Sequence, residues 1–257
     1  MIGTFKVWYH QQLFDPGPLG WMVNPFYLAR RGLHRSLIGL LSELRGGVLD
    51  VGCGRMPYRR FVRAERYTGL DYDTPARRAD GLADVLYDGG RFPFPDAEFD
   101  GALCTQVLEH VFTPEQFLGE IHRVLRPGGA LVLTVPFIWD EHEQPYDFGR
   151  YSSFGLKTLL ERNGFEVLNF EKASADAGAI AQICAGWVYK LVARRGKVLR
   201  SLIQLLIIAP INLVGLLAAV ILPRNLDFYL DNVVLARRSV STPSRCVTSA
   251  PTSTVVS

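Results

Sequence analysis

Two rhythms of hydrophobic and polar positions run along this chain. Short, nearly continuous apolar runs bounded by Gly, Pro or Asp predict strands near 47–51, 66–70, 83–87, 99–104, 130–135 and 165–171, with a final one over 228–237. Leu33, Leu37, Leu40, Leu41 and Leu44 recur at helical spacing between Asn24-Pro25 and Gly46-Gly47. They predict a helix that packs on the sheet edge or flanks a ligand site. Thr113-Pro114-Glu115-Gln116 has the form of a capping box with proline at the first helical position, and Gly128 stands where that helix would stop. Another helix is expected over 153–163, closed by Asn163-Gly164. Strands alternating with helices imply an α/β fold, and 257 residues suffice for the core of one such domain with attachments.

A different pattern begins at Leu202. From there to Leu222 only Gln204 and Asn212 are strongly polar, a run long enough to span a bilayer. Lys190, Arg194, Arg195, Lys197 and Arg200 precede it and Arg224 follows, so no one-way charge bias orients it. A single crossing would strand 228–237 on the far side of the membrane from the rest of the sheet. Pro210 and Asn212 suit a bend. The expectation is a helical hairpin or pair of interfacial helices in the cytoplasmic leaflet, both ends inside. A single span, and a lid buried against its own domain or a dimer partner, are the alternatives. The cationic cluster would add about 1 kcal/mol per residue near an anionic surface.

Candidate chemistry concentrates at the first strand ends. Val48-Leu49-Asp50-Val51 runs into Gly52-Cys53-Gly54, where two glycines allow a tight turn and close ligand approach. Asp71 ends the next strand, where an acid can accept both hydroxyls of a ribose. Pro57 occupies the place of the third glycine of a dinucleotide fingerprint, which disfavours a pyrophosphate ligand. Downstream, Asp88 precedes Arg91-Phe92-Pro93-Phe94-Pro95-Asp96-Ala97-Glu98-Phe99-Asp100, then Val107-Leu108-Glu109-His110 and Glu120-Ile121-His122-Arg123-Val124-Leu125-Arg126-Pro127-Gly128-Gly129.

These motifs, in this order over Val48 to Pro136, resemble those of class I S-adenosylmethionine-dependent methyltransferases. The resemblance implies a Rossmann-like seven-stranded sheet with helices on both faces, here with a hydrophobic helical insertion before the last strand. It implies S-adenosylmethionine as cofactor, bound by Asp50, Gly52, Cys53, Gly54, Asp71, Tyr72, Asp88 and Gln106. Asp71 would hold the ribose and Asp88 the adenine amino group. Asp50 and the Gly52–Gly54 backbone would face the methionine part, with Gln106 near the sulfonium. Only 16 residues separate Asp71 from Asp88, and Asp73-Thr74-Pro75 breaks a helix there, so a short irregular crossover is expected.

The segment Trp139-Asp140-Glu141-His142-Glu143-Gln144-Pro145-Tyr146-Asp147-Phe148-Gly149-Arg150-Tyr151 follows the strand ending at Pro136. It resembles a loop of the bacterial methyltransferases found among surface-polysaccharide biosynthesis proteins, which implies a glycan or lipid-linked acceptor. Methyl transfer to a hydroxyl needs a positioned nucleophile and a base. His142 is the candidate base and His110 its competitor. Asp147 and Arg150 are candidates for the same site, or simply pair to hold the loop. Glu109 reads as a pocket wall and Glu120 as a solvated helix face.

Charge and cysteines narrow the classes. A net charge of +3 and no basic stripe with interleaved aromatics argue against nucleic acid. Cys53, Cys104, Cys184 and Cys246 lack metal-ligand spacing, so reduced thiols in a cytosolic protein and no metal site are expected. Met1 to His10 has no apolar core of a signal peptide. The expected organisation is an N-terminal helical segment at 1–46, a core at 47–177, the membrane-associating insertion at 178–226, the last strand at 227–238 and a disordered tail at 239–257. The expected partners are a small-molecule or lipid-linked glycan acceptor and a membrane surface met through 190–222. A homodimer stays open. The quinone or polyketide class, and a non-catalytic assembly partner, are the alternative readings.

Overall fold

The computed structural model describes residue 12 and residues 14–240. Met1 to His10, Cys246 and the expected tail from 241 onward lie outside the described residues. Seven strands form one sheet: β1 (Arg45–Val51), β2 (Arg63–Tyr72), β3 (Val85–Tyr87), β4 (Phe99–Thr105), β5 (Leu125–Pro136), β6 (Phe165–Ala173) and β7 (Asp231–Arg238). Their order is β3-β2-β1-β4-β5-β7-β6. The first five run parallel, and β7 enters antiparallel between β5 and β6.

Both sheet faces are covered, which explains the continuous apolar runs. The described helices are α1 (Gly20–Val23), α2 (Tyr27–Leu41), α3 (Pro75–Asp80), α4 (Pro114–Val124), α5 (Ser153–Arg162), α6 (Gly178–Val192), α7 (Lys197–Ile203) and α8 (Ala209–Ile221). Val48, Leu103, Val132 and Val233 meet the leucine stripe of α2, whose Leu37 and Leu41 are fully buried. Leu49, Val51, Leu131 and Leu133 point the other way, onto Phe117, Leu118 and Ile121 of α4 and Leu156 and Leu160 of α5. Burying each such side chain contributes about 1.5–3 kcal/mol.

Several local expectations are corrected. Helix α4 ends at Val124, well before Gly128, and Thr113 makes no side-chain cap. The chain is drawn straight into β5, and Gly128 instead takes a left-handed turn at φ +77°. Helix α2 stops at Leu41 rather than at Gly46-Gly47. It covers the sheet face, and its first turns also reach the ligand cavity. The crossover after β2 is not irregular: Thr74 Oγ1 accepts from Arg77 N at 3.1 Å and caps α3, with Pro75 at its start. Strand β3 keeps three residues, and β7 begins at Asp231 rather than 228. Glu120 is no idle surface acid, because it accepts from Phe92 N at 2.7 Å and pairs with Arg123.

The apolar insertion differs most from expectation. Residues 197–221 form one unbroken helical run through α7, a π-helical turn (Gln204–Ile208) and α8. Pro210 therefore makes no hairpin within the run. A wide π turn just before a proline absorbs its missing donor and steric bulk. The hairpin lies instead between α6 and α7–α8, where Gly215 lets the helices approach so closely that a Cβ there would sit 2.6 Å from Ala181. Because β6 and β7 pair from Phe165–Arg238 to Ala173–Asp231, the chain leaves and re-enters the sheet at one edge. A single crossing between them is incompatible with that pairing.

The hairpin is inverted in polarity. Its polar side chains turn inward: Gln182 bonds Ala29 N and Pro25 O, Gln204 donates to Met22 O, and buried Asn212 donates to Trp21 O and Asn24 O. Most of its large apolar side chains turn outward, with Trp187 66%, Leu206 68% and Val220 86% exposed, while Ile208 is buried. Only 22% of the most apolar stretch is buried, so it is not the core helix of this domain.

Candidate active site

The turn after β1, the end of β4, the first residue of β7 and the loop after β5 surround a cavity of about 380 Å³. Gly52, Cys53, Gly54, Gln106, His110 and His142 line it, as do Arg30, Arg77, Trp139 and Asp231. The β1 turn requires glycine. Gly52 has φ +68°, and a Cβ there would lie 2.4 Å from Val107 Cγ2. Gln106, at the end of β4, also takes positive φ, +55°, an uncommon conformation for a side-chain-bearing residue. Its amide donates to Thr134 Oγ1 and Asp231 Oδ1, both at 3.2 Å, which fixes it across the cavity floor.

Two acids stand close behind the β1 turn and a third, Asp231, reaches the cavity. Asp50 is almost fully buried and accepts from the Tyr67 hydroxyl at 2.6 Å. Burial pushes its carboxyl up to about 7, with the neighbouring Asp71 charge adding to the rise and the Tyr67 bond opposing it. Buried Asp231 rises to about 6 for the same first reason. Asp71 Oδ2 accepts from Gly54 N at 3.0 Å and lies 3.0 Å from Arg77 Nε, while Oδ1 accepts from Tyr72 N at 2.8 Å. Arg77 thus sits on the carboxylate expected to meet a ribose, and must yield an oxygen for that role. Exposed Tyr72 stands beside Gly89, and Asp88 caps its own turn through Gly90 N at 3.0 Å. Neither lines the cavity, and Asp50 and Asp71 likewise lie behind its lining rather than in it.

Loop 139–151 brings the two histidines together. Their ring centroids are 4.8 Å apart at 78°. His110 Nδ1 lies 2.7 Å from Tyr146 O, and His142 Nδ1 lies 3.2 Å from Asp140 O. A carbonyl can only accept, so each Nδ1 carries the proton and each Nε2 presents a lone pair. Asp147 accepts from His142 N at 2.9 Å and grips Arg150 bidentately at 2.6 and 2.7 Å. The Arg150 guanidinium holds the Asp147 carboxyl down to about 2. That pair organises the loop from beneath it.

Four residues of this site carry no signal a sequence reader would single out. Asp231 arrives from the far end of the chain through β7, Arg77 from the crossover helix, Tyr67 from inside β2 and Arg30 from α2. The hairpin also reaches the site: Lys190 Nζ lies 2.7 Å from Asp140 Oδ2 and 3.1 Å from Glu141 O.

Residues 49–133 match a family described as a methyltransferase domain. A probable S-adenosylmethionine-dependent methyltransferase of Mycolicibacterium smegmatis is 33% identical over 133 residues, 47% of this chain and 52% of the relative. A fatty-acid O-methyltransferase of the same organism is 31% identical over 136 residues, 48% of this chain and 47% of the relative. The chain thus spans about half the length of both. Among solved structures, the (4+2)-cyclase SpnF superposes with a TM-score of 0.52 at 23% identity, over 84% of this chain and 83% of that one. Residues 49–133 thus resemble an S-adenosylmethionine-dependent methyltransferase domain, set within a Rossmann-like seven-stranded sheet.

The residues fit that cofactor on physical grounds. Asp231 on the cavity wall, with Asp50 and Asp71 close behind the β1 turn, suits a ligand bearing a sulfonium and an ammonium. The Gly54 N–H that a phosphate would seek is already given to Asp71. At Gly54 nothing lies closer than 3.7 Å to where a Cβ would stand, so a ligand can meet bare backbone there.

Proposed function

We propose that this chain is an O-methyltransferase acting at the cytoplasmic face of a membrane on an acceptor carried by that membrane, a lipid-linked glycan being the first reading. The observation that carries the membrane half is the inverted polarity of α6–α8, joined by Lys190 to the loop that bears His142. Buried apolar area stabilises a protein only where water is excluded, and this face is arranged to exclude it against something outside the chain. Helix α6 has 15 residues, about 22 Å, too short to cross the hydrocarbon core. An interfacial platform fits better than a crossing pair, with Arg194, Arg195, Lys197 and Arg200 clustered at the hairpin turn to meet anionic headgroups.

Once bound, S-adenosylmethionine supplies a methyl group activated by its sulfonium. The chain's part is to hold the acceptor hydroxyl in line and remove its proton. The Nε2 lone pairs of His142 and His110 are the proton acceptors on the acceptor side, their rings set by the carbonyls of Asp140 and Tyr146. Asp147 and Arg150 hold the loop in place. Asp71 and the Gly52–Gly54 backbone bind the cofactor, with Asp50 and Gln106 at its methionine end. A membrane-resident small molecule is the second reading, favoured by the relative whose name gives a fatty acid as its substrate.

The test is transfer from methyl-labelled S-adenosylmethionine to cell-envelope membranes by the full chain. Label should enter the lipid or lipid-linked fraction, and His142→Ala should lower turnover roughly 10²–10⁴-fold with cofactor affinity unchanged. Label confined to water-soluble acceptors would remove the membrane half. No transfer despite cofactor binding would remove the catalytic one.

A further inference from the structure

We propose that Glu109, His110 and His142 form a binding site for a divalent transition-metal ion. One carboxylate oxygen of Glu109 and one ring nitrogen of each histidine lie within 4.8 Å of one another. Glu109 is fully buried, and neither of its side-chain oxygens has a hydrogen-bond partner among the described residues. A carboxyl group taken out of water with no partner is costly, and a site that carries one is built for a ligand or a proton. Arg150, the cation near it, has its fork committed to Asp147, and its Nε has no partner among the described residues.

The histidines show the outer-shell pattern of metal ligands. Each donates Nδ1–H to a backbone carbonyl, Tyr146 O for His110 and Asp140 O for His142, which sets the ring and aims the Nε2 lone pair. His142 is further steadied by Asp147, whose Oδ2 accepts from its backbone and lies 3.4 Å from its Nδ1. Metal–ligand bonds of about 2.0–2.2 Å place neighbouring donor atoms roughly 3–4 Å apart, so the three need to close by about 1 Å. His142 stands on a loop and is partly exposed, so rotation of its side chain covers that distance. Two imidazoles and one carboxylate suit zinc, cobalt, iron or manganese, whereas magnesium and calcium prefer oxygen alone. Both histidines line the cavity, so the ion's remaining positions open onto the acceptor space.

Binding of the ion does not depend on methyl transfer. Its consequence does rest on the function proposed above: a hydroxyl bound to the ion becomes more acidic, and the ion then replaces histidine as the agent of deprotonation. The sequence hides such a site because His142 lies 32 residues beyond His110, outside any ligand-spacing motif.

The experiment is titration of the metal-stripped full chain with cobalt chloride, read by visible absorption and calorimetry, with zinc as competitor. One equivalent should bind, without the thiolate charge-transfer band that Cys184 would produce, and zinc should displace it. Magnesium at the same concentration should not. His142→Ala should weaken cobalt binding at least 10-fold, and Glu109→Gln likewise, while Cys184→Ser leaves it unchanged. His142→Ala changes only a surface loop, so it reports even if Glu109→Gln fails to fold. S-adenosylmethionine binding measured in chelator should persist, which separates loss of this site from loss of the cofactor site. Absence of a cobalt spectrum at millimolar metal, or undiminished binding in His142→Ala, would overturn the site.

Discussion

Helix α4 and the α6–α8 hairpin obey the hydrophobic effect in opposite senses. In α4, Phe117, Leu118, Ile121 and Val124 turn inward and charged residues turn out. In the hairpin, Gln182, Gln204 and Asn212 turn inward onto the backbone of residues 21–29, and leucine, isoleucine, valine and tryptophan turn out. The first arrangement gains stability from water, and the second loses it there. The inward amides add hydrogen bonds that hold the helices to the domain beside buried Ala179, Ala185 and Ile208. What the contrast teaches is that the surface between hairpin and domain is polar and specific, while the surface the hairpin turns outward is apolar and general, as a lipid phase requires.

The largest expected difference comes from placing one charge in each region. Leu118→Glu buries an unpaired carboxylate in the core and should unfold the domain or cost more than about 4 kcal/mol in chemical denaturation. Leu206→Glu should change stability by less than about 0.5 kcal/mol, because that side chain already faces outward. Comparable losses for both would mean the hairpin face is covered within the folded protein, and the contrast would fail.

A smaller effect separates the hairpin from the cofactor site. Asp71→Ala should weaken S-adenosylmethionine binding by about 1.5–3 kcal/mol, roughly 10- to 150-fold, through loss of charge-assisted bonds. Leu206→Glu should leave that affinity unaltered. Calorimetry decides both, and an unaffected Asp71→Ala would refute the placement of the ribose.

The pH dependence is smaller still. Burial raises Asp50 to about 7, Asp231 to about 6 and Glu109 to about 8. The folded chain keeps protons there that the unfolded chain releases near pH 4, so ligand-free stability should fall as pH rises from about 4 to about 8. Asp147, held down to about 2, works oppositely: its contribution is present above about pH 4 and is lost as pH falls toward 2. Asp50→Asn should flatten the decline in melting temperature between pH 5 and pH 8. A variant that parallels the parent would exclude Asp50 from it.

How far these features were legible follows from their distance along the chain. The β1 turn was readable because glycine freedom is a local demand, and Gly52 and Gly54 meet it within three residues. The last strand was readable because its apolar run must complete the sheet. Glu109 and Asp231 become a site only through folding, as strands far apart in sequence share one edge, and no local pattern records that. The bend expected at Pro210 failed because a π turn over 204–208 accommodates the proline within a continuous helix. The capping box at Thr113 failed although its residues were right, for the Thr113 hydroxyl makes no cap hydrogen bond. The outward face of the hairpin could be foreseen as apolar, but not that its three amides would all point the other way.

The central claim is that this outward face meets a bilayer, and flotation tests it most directly. The full chain, mixed with vesicles containing anionic lipid and spun through a density gradient, should rise with the vesicles. The Leu206→Glu, Val220→Glu double variant should stay at the bottom, folded and still able to bind S-adenosylmethionine. Parent protein that remains at the bottom, or a double variant that floats as well as the parent, would contradict the account.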